Sequence, residues 1–335
     1  MLRIHFTSDD LSRIRLTPRA DIMWEILLSS YRLRHSAGTV LFGEWRRAVT
    51  PRLATDALAL TALAPPVGYA VDFLTPVGAG QTLAEGTEAL RGTTRTRLRN
   101  DLEELSRRHP GRPLPGWTRD LADGSPEALT HLADSVTGYF STALKPYWRA
   151  IQLQVTRDHD WRRNTLDERG WEAVLATLHP SAQWNYPELR LAFPADHDIH
   201  LEGRGLILQP SFFCWGPPTT FLDTELTPIL VYPVERSVDW YASTQRTRHS
   251  ALAALLGKTR ARVLELVAVG SCTTTQLAGR AGLPVQTASN QVTVLREADL
   301  ISSRRHRNTV IHTITTLGEA LLEGDTPGPR SSSHV

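Results

Sequence analysis

The sequence predicts an α+β protein in two unequal parts. Residues 1–245 read as a mostly helical domain with a small antiparallel sheet at about 189–233, and residues 246–323 as a smaller second domain. Three observations carry this. The chain has 335 residues, more than the roughly 100–200 of one ordinary domain. Apolar residues at helical spacing dominate as far as Pro180, after which short alternating runs set off by glycine and proline take over. From Arg248 onward the charge balance changes sign.

The net charge is only +2, and it is unevenly placed. Between Arg248 and Leu322 nine basic residues (Arg248, Lys258, Arg260, Arg262, Arg280, Arg296, Arg304, Arg305, Arg307) face four acids (Glu265, Glu297, Asp299, Glu319), a balance of +5 that leaves −3 elsewhere. A basic module on a mildly acidic body suits a nucleic-acid-binding domain joined to a sensing or dimerising one. Hydrophobic residues make up 41% and charged residues 21%, as in folded soluble domains. Cys214 and Cys272 form neither a disulfide framework nor a metal-binding pair, which fits a reducing cytoplasm. The opening MLRIHFTSDD carries charges where a signal peptide needs an apolar run. The most apolar stretch, Ala54–Leu74, is broken by Asp56, Pro65, Pro66 and Asp72, so no membrane span is expected.

In chain order, Leu2, Ile4 and Phe6 alternate with polar residues and predict a strand. A helix follows over Asp21–Arg34, with Met23, Ile26, Leu27 and Tyr31 on one face. Further helices are expected over Glu44–Leu63, Gly86–Arg108, Pro126–Thr142, Pro146–Arg163 and Glu168–Leu178. Their aromatics (Trp24, Tyr31, Trp45, Phe140, Tyr147, Trp148) read as core, with room among them for a ligand pocket. Leu189–Phe193, Ile199–Glu202, Leu206–Phe213, Thr219–Leu222 and Ile229–Tyr232 read as strands of the small antiparallel sheet.

The last quarter is the most informative. Thr259–Val269 has Val263, Leu264 and Val267 at helical spacing, and Gly270 stops it. Thr273 stands three residues before Gln276, the spacing of a capping box that opens the next helix. Gly282 supplies the tight turn between crossed helices, and Pro284 starts a third helix running to about Ala298. There Ala288, Val292 and Leu295 face inward, leaving Gln286, Ser289, Asn290 and Thr293 on the opposite face. Leu300-Ile301 begins a strand, Ser302–Asn308 forms a basic turn, and Thr309–Ile314 alternates as a second strand. Three helices and a cation-tipped hairpin make a winged helix-turn-helix, whose third helix reads the major groove. The expected DNA-contacting residues are Gln286, Thr287, Ser289, Asn290, Gln291 and Thr293 on that helix, with Arg304, Arg305, His306 and Arg307 on the wing. Thr273 and Lys258 are candidates for phosphate contact. The tail GDTPGPRSSSHV, residues 324–335, is expected to be disordered.

TRARVLELV and TTTQLAGRAGLPVQTASNQVTVLREADLISSRRHRNTVIHTITTLGEALL resemble the winged helix-turn-helix of ArsR-type bacterial repressors. The whole chain resembles ArsR-like regulators with a long, uncharacterised N-terminal extension, through MLRIHFT and LILQPSFFCW…PILVYPV. The resemblance implies a homodimer on operator DNA and a repressor's output, and it brings no known ligand for the extension. Metal-sensing members carry Cys-x-Cys where this chain has Thr273 and Thr275, so no metal or cofactor is expected there. Pro284 stands where members usually place a serine.

Other constellations are weaker. Asp158-His159-Asp160 and Asp196-His197-Asp198-x-His200 offer metal-ligand types at loose spacing. Gly257-Lys258-Thr259 mimics a P-loop end but has Leu252 where the first glycine belongs. Gly78-x-Gly80 lacks a third glycine, and Cys214 with His200 lacks any local activation of the thiol. The sequence therefore reads as a cytoplasmic, non-enzymatic regulator that binds double-stranded DNA, dimerises, and takes a small-molecule effector in its N-terminal domain. Two other readings stay open: a catalytic N-terminal body using the second domain for protein contact, and a winged helix serving assembly.

Overall fold

The computed structural model describes residues 1–55, 59–65, 68–237, 240–241, 252–269, 272–306 and 309–323. It divides into two compact units, Met1–Trp240 and Tyr241–Val335. The boundary expected at 245, the stop at Gly270, the wing tip at Arg307 and Asn308, and the tail 324–335 lie outside the described residues.

In the first unit β1 (Leu2–His5) and β2 (Arg15–Leu16) precede α1 (Ile22–Arg34). Asp21 starts α1 by accepting from the backbone N–H groups of Met23 at 2.9 Å and Trp24 at 3.1 Å, an N-cap. The helix expected over Glu44–Leu63 is instead α2 (Thr39–Val49), a 3₁₀ turn over Thr50–Arg52 and a separate short helix, Leu60–Leu63. Pro51 removes the N–H that would have continued the ladder. The single helix expected over Gly86–Arg108 is two: α3 (Leu83–Arg91), opened by a Thr82/Glu85 capping box, and α4 (Arg95–Arg108), capped by Thr94. α5 (Pro126–Tyr139) passes into a π turn over Phe140–Leu144. The two helices expected next are both present within α6 (Trp148–Ala176), but the break between them falls at Gly170 (φ 75°, ψ 179°) and not at residues 164–167.

The small antiparallel sheet is corrected most. β3 (Gln183–Asn185), β4 (Glu188–Leu191) and β5 (His197–His200) join β1 in the order β3-β4-β1-β5, with β1 antiparallel to β4 and parallel to β5. β6 (Ile207–Ser211) and β7 (Ile229–Pro233) form a second, parallel sheet with β2. Thr219–Leu222 contributes only one bridge, Thr219 to Val231. Alternation marks a strand's inner face but names neither its partner nor its direction. The long link from β6 to β7 is what allows a parallel return.

The second unit runs α7 (Lys258–Val269), β8 (Cys272–Thr273), α8 (Thr274–Ala281), α9 (Val285–Glu297), β9 (Ile301–His306), β10 (Thr309–Ile314) and α10 (Thr316–Glu323). Its sheet has the order β8-β10-β9, antiparallel throughout. Val263, Leu264, Val267, Leu277, Val292, Leu295 and Ile301 form its core.

Candidate nucleic-acid interface

The surface of the second unit is set by α8, α9 and the β9–β10 hairpin. α8 begins with a reciprocal pair: Gln276 N–H donates to Thr273 Oγ1 at 3.3 Å, and Thr273 N–H donates to Gln276 Oε1 at 3.0 Å. It ends at Gly282, whose φ of 66° is the left-handed conformation that glycine adopts without Cβ strain. Pro284 is then the N-cap of α9, which begins at Val285. Ala288, Val292 and Leu295 are at most 4% exposed and hold α9 against the core.

At about 100° per residue the outward face is centred on Gln286, Asn290 and Thr293. Gln286 and Asn290 are exposed, and Gln286 Nε2 donates to Asn290 Oδ1 at 3.4 Å. Ser289 and Thr293 are half-buried, and Thr293 Oγ1 donates back to the Ser289 carbonyl at 3.1 Å. Thr287 and Gln291 lie on the flanks. Gln291 is already engaged, since Arg260 Nε donates to its Oε1 at 3.1 Å.

The basic turn expected over Ser302–Asn308 is largely strand. Ser302, Ser303, Arg304 and Arg305 pair with Thr313, His312, Ile311 and Val310. Period-two alternation sends Arg304 and Arg305 to opposite faces of the hairpin, and both are exposed. The side chain of His306 lies outside the described residues. Lys258, exposed in the first turn of α7, and Thr273, at the head of α8, belong to separate elements.

Several residues of this surface were not among the DNA contacts expected from the sequence. Arg260, Arg280 and Arg296 are exposed, and so are the apolar side chains of Val285 (51%) and Val294 (39%). A helical wheel already places Val294 off the buried arc, a signal that apolar counting hides. His312 is 2% exposed. Its Nε2 lies 2.9 Å from Thr274 Oγ1 and its Nδ1 lies 2.8 Å from Ser303 Oγ, which joins the hairpin base to α8. Burial, with Arg296 adding, holds its pKa below the ordinary value, so the ring is neutral at neutral pH.

The weaker constellations disperse. Asp158 is buried, accepts from Arg162 Nε at 2.9 Å and Tyr232 Oη at 3.0 Å, and is parted from the solvent-facing Asp160. Asp198 is held by Arg3 and His5 at 3.0 Å each, and His5 stacks on His200. Cys272 is 3% exposed, and burial pushes its thiol pKa up. Among the described residues no group of three His, Cys, Asp or Glu side chains is placed to hold a metal, and no helix is long and apolar enough to cross a membrane.

No family model and no curated protein matches the chain. Among solved structures, reduced HlyU from Vibrio cholerae is similar at 19% identity, covering 24% of this chain and 90% of its own, with a TM-score of 0.20. A homodimeric winged helix-turn-helix DNA-binding domain from Mycobacterium bovis, described as a possible ArsR-family transcriptional regulator, is similar at 22% identity over 27% of this chain and 82% of its own, also at 0.20. At that score neither likeness bears on function, and the reading of the second unit rests on its own topology and surface.

Proposed function

We propose that residues 258–323 form a winged helix-turn-helix that binds double-stranded DNA, and that the chain is a sequence-specific transcription regulator acting as a repressor. The outer face of α9 carries this reading: Gln286 and Asn290 are exposed on a helix without an acid before Glu297, and the core fixes it from behind. Amide side chains pair bidentately with adenine, hydroxyls bond to bases or phosphates, and the methyls of Val285 and Val294 suit thymine. Arg304 and Arg305, with Arg307 following in the sequence, hold phosphates on the wing. A homodimer presents two α9 helices to successive major grooves roughly 34 Å apart. The N-terminal unit binds an effector that favours one spacing of those helices over another, since only a difference in affinity shifts the balance. The regulator catalyses nothing and works in the cytoplasm. The Cys214 thiol, the one nucleophile weighed from the sequence, is buried with its pKa pushed up to about 12, and the two free cysteines suit a reducing compartment.

The test is fluorescence anisotropy on labelled DNA from upstream of the chain's own gene, against a scrambled sequence, at several salt concentrations. Preference for the native DNA that Asn290→Ala removes is the expected result. Equal binding to both DNAs, unchanged by Asn290→Ala, would overturn sequence-specific readout and leave the exposed valines of α9 as a protein-docking face.

A further inference from the structure

The first unit contains a cavity of about 450 Å³, inside the usual range of small-molecule sites, roughly 300–1,000 Å³. One wall is a single stripe of α1, in which Trp24, Leu27, Leu28, Tyr31 and Arg32 recur at spacings of three and four, as one helical face must, with His35 just past its end. Phe221, Trp215 and Tyr69 also line it, and Phe221 packs on Trp24 with ring centroids 5.4 Å apart. Of the aromatics expected to offer a pocket, only Trp24 and Tyr31 line this one. Trp45 is buried with its Nε1–H donated to the Ala143 carbonyl at 2.8 Å, Tyr147 is buried beside Trp240, and Phe140 packs against Trp148.

The polar groups of the cavity are unequally satisfied. The Asp72 carboxylate accepts from the backbone N–H groups of Leu222 at 3.1 Å and Asp223 at 3.0 Å, with Arg97 at 3.9 Å, so it is already partnered within the protein. His197 Nε2 lies 3.2 Å from the Phe221 carbonyl, and Arg108 pairs with Glu104. Arg32 is different. Its Nε is buried without a hydrogen-bond partner, and among the described residues it has no carboxylate to pair with. A guanidinium is always charged and presents a planar fork suited to a carboxylate. On the half-buried Arg32, an Nε cut off from water and unpaired beside an aromatic chamber favours a ligand that completes the fork.

We propose that this cavity is the effector site and that it takes a planar aromatic carboxylate, whose ring lies against the wall made by Trp24, Tyr31 and Phe221 and whose anion pairs with Arg32. The proposal deepens the effector reading given above and rests on it for its regulatory meaning, but the binding itself is independent of DNA.

The test is calorimetric titration of the full chain, without DNA, using 2-naphthoate and its neutral amide, 2-naphthamide. The acid should bind about tenfold or more tightly than the amide, as expected for a buried charged hydrogen bond. Arg32→Gln should bring the two affinities together while leaving the amide's nearly unchanged. Circular dichroism checks that the variant is folded, and the acid-to-amide ratio in the unaltered chain stands without it. Equal affinities, or no binding of either compound, overturns the site. Binding of naphthoate by a chain that ignores DNA sequence would uphold the site and sink the regulator, and the reverse pair of results would do the opposite.

Discussion

Glu25 has no exposed surface, and its oxygens accept from the N–H groups of Phe212 at 2.6 Å and Phe213 at 2.9 Å and from Ser211 Oγ at 3.1 Å. Desolvation drives its pKa up to about 7 despite those donors and nearby Arg236. A carboxyl raised in the folded state contributes stability that is fully present below its unfolded pKa and lost as pH rises through the folded one. The advantage of the unaltered chain over Glu25→Gln should therefore shrink by roughly 3 kcal/mol between pH 4.5 and about 7, read by urea unfolding at each pH. A difference that stays constant across that window would mean the carboxyl is ionised in the fold. His312 carries the opposite sign. Its pKa is lowered, so its contribution is present above the ordinary histidine value and fades as pH falls through the folded one. His312→Ala is expected to cost the second unit about 1–3 kcal/mol at neutral pH, by stranding its two hydroxyl partners, and to remove that acid sensitivity.

At the scale of elements, two glycines separate backbone strain from collision. A Cβ on Gly282 would meet nothing within 4 Å, so Gly282→Ala costs only left-handed strain, about 1–2 kcal/mol. A Cβ on Gly318 would overlap the Leu300 carbonyl oxygen, so Gly318→Ala must push α10 off the sheet and should cost more. Thermal melts of the two variants that reverse this order would contradict the packing of α10. The hairpin and α9 should divide their roles on DNA. Arg304→Ala or Arg305→Ala should each reduce the slope of log affinity against log salt by about 1. Asn290→Ala should leave the slope unchanged and remove about 1–3 kcal/mol of discrimination. A changed slope for Asn290→Ala would move that residue from bases to phosphates.

For the whole molecule, each unit holds its own core, so calorimetry is expected to resolve two unfolding transitions. Their pH responses should differ in sign. Asp21 at about 6 and Asp72 at about 7 share the raised pKa of Glu25, and desolvation is the largest cause in each. Lowering the pH from about 7 to about 5.5 should raise the first unit's transition and lower the second's. Both transitions moving the same way would show that another titrating set governs one of the units.

What the sequence by itself determined is short in range. The helix that begins at Asp21, the Thr273/Gln276 box, the tight turn at Gly282 and the two faces of α9 each follow from residues within a turn or two of one another, where helical period and capping chemistry act. Longer patterns misled where a break was local and silent: α3 and α4 keep one apolar rhythm across Gly92, and only Thr94 marks the restart. The tertiary structure alone decided which strands meet. Leu2 pairs with Leu191 and with His197, and nothing in an alternating strand names a partner so distant in the chain. It also decided the chemistry of the buried groups. Glu25 finds its donors 186 to 188 residues away, and Arg32 meets an aromatic chamber walled by segments from across the first unit. Periodicity encodes which face of an element turns inward, whereas desolvation and pairing depend on what the rest of the chain brings to that face.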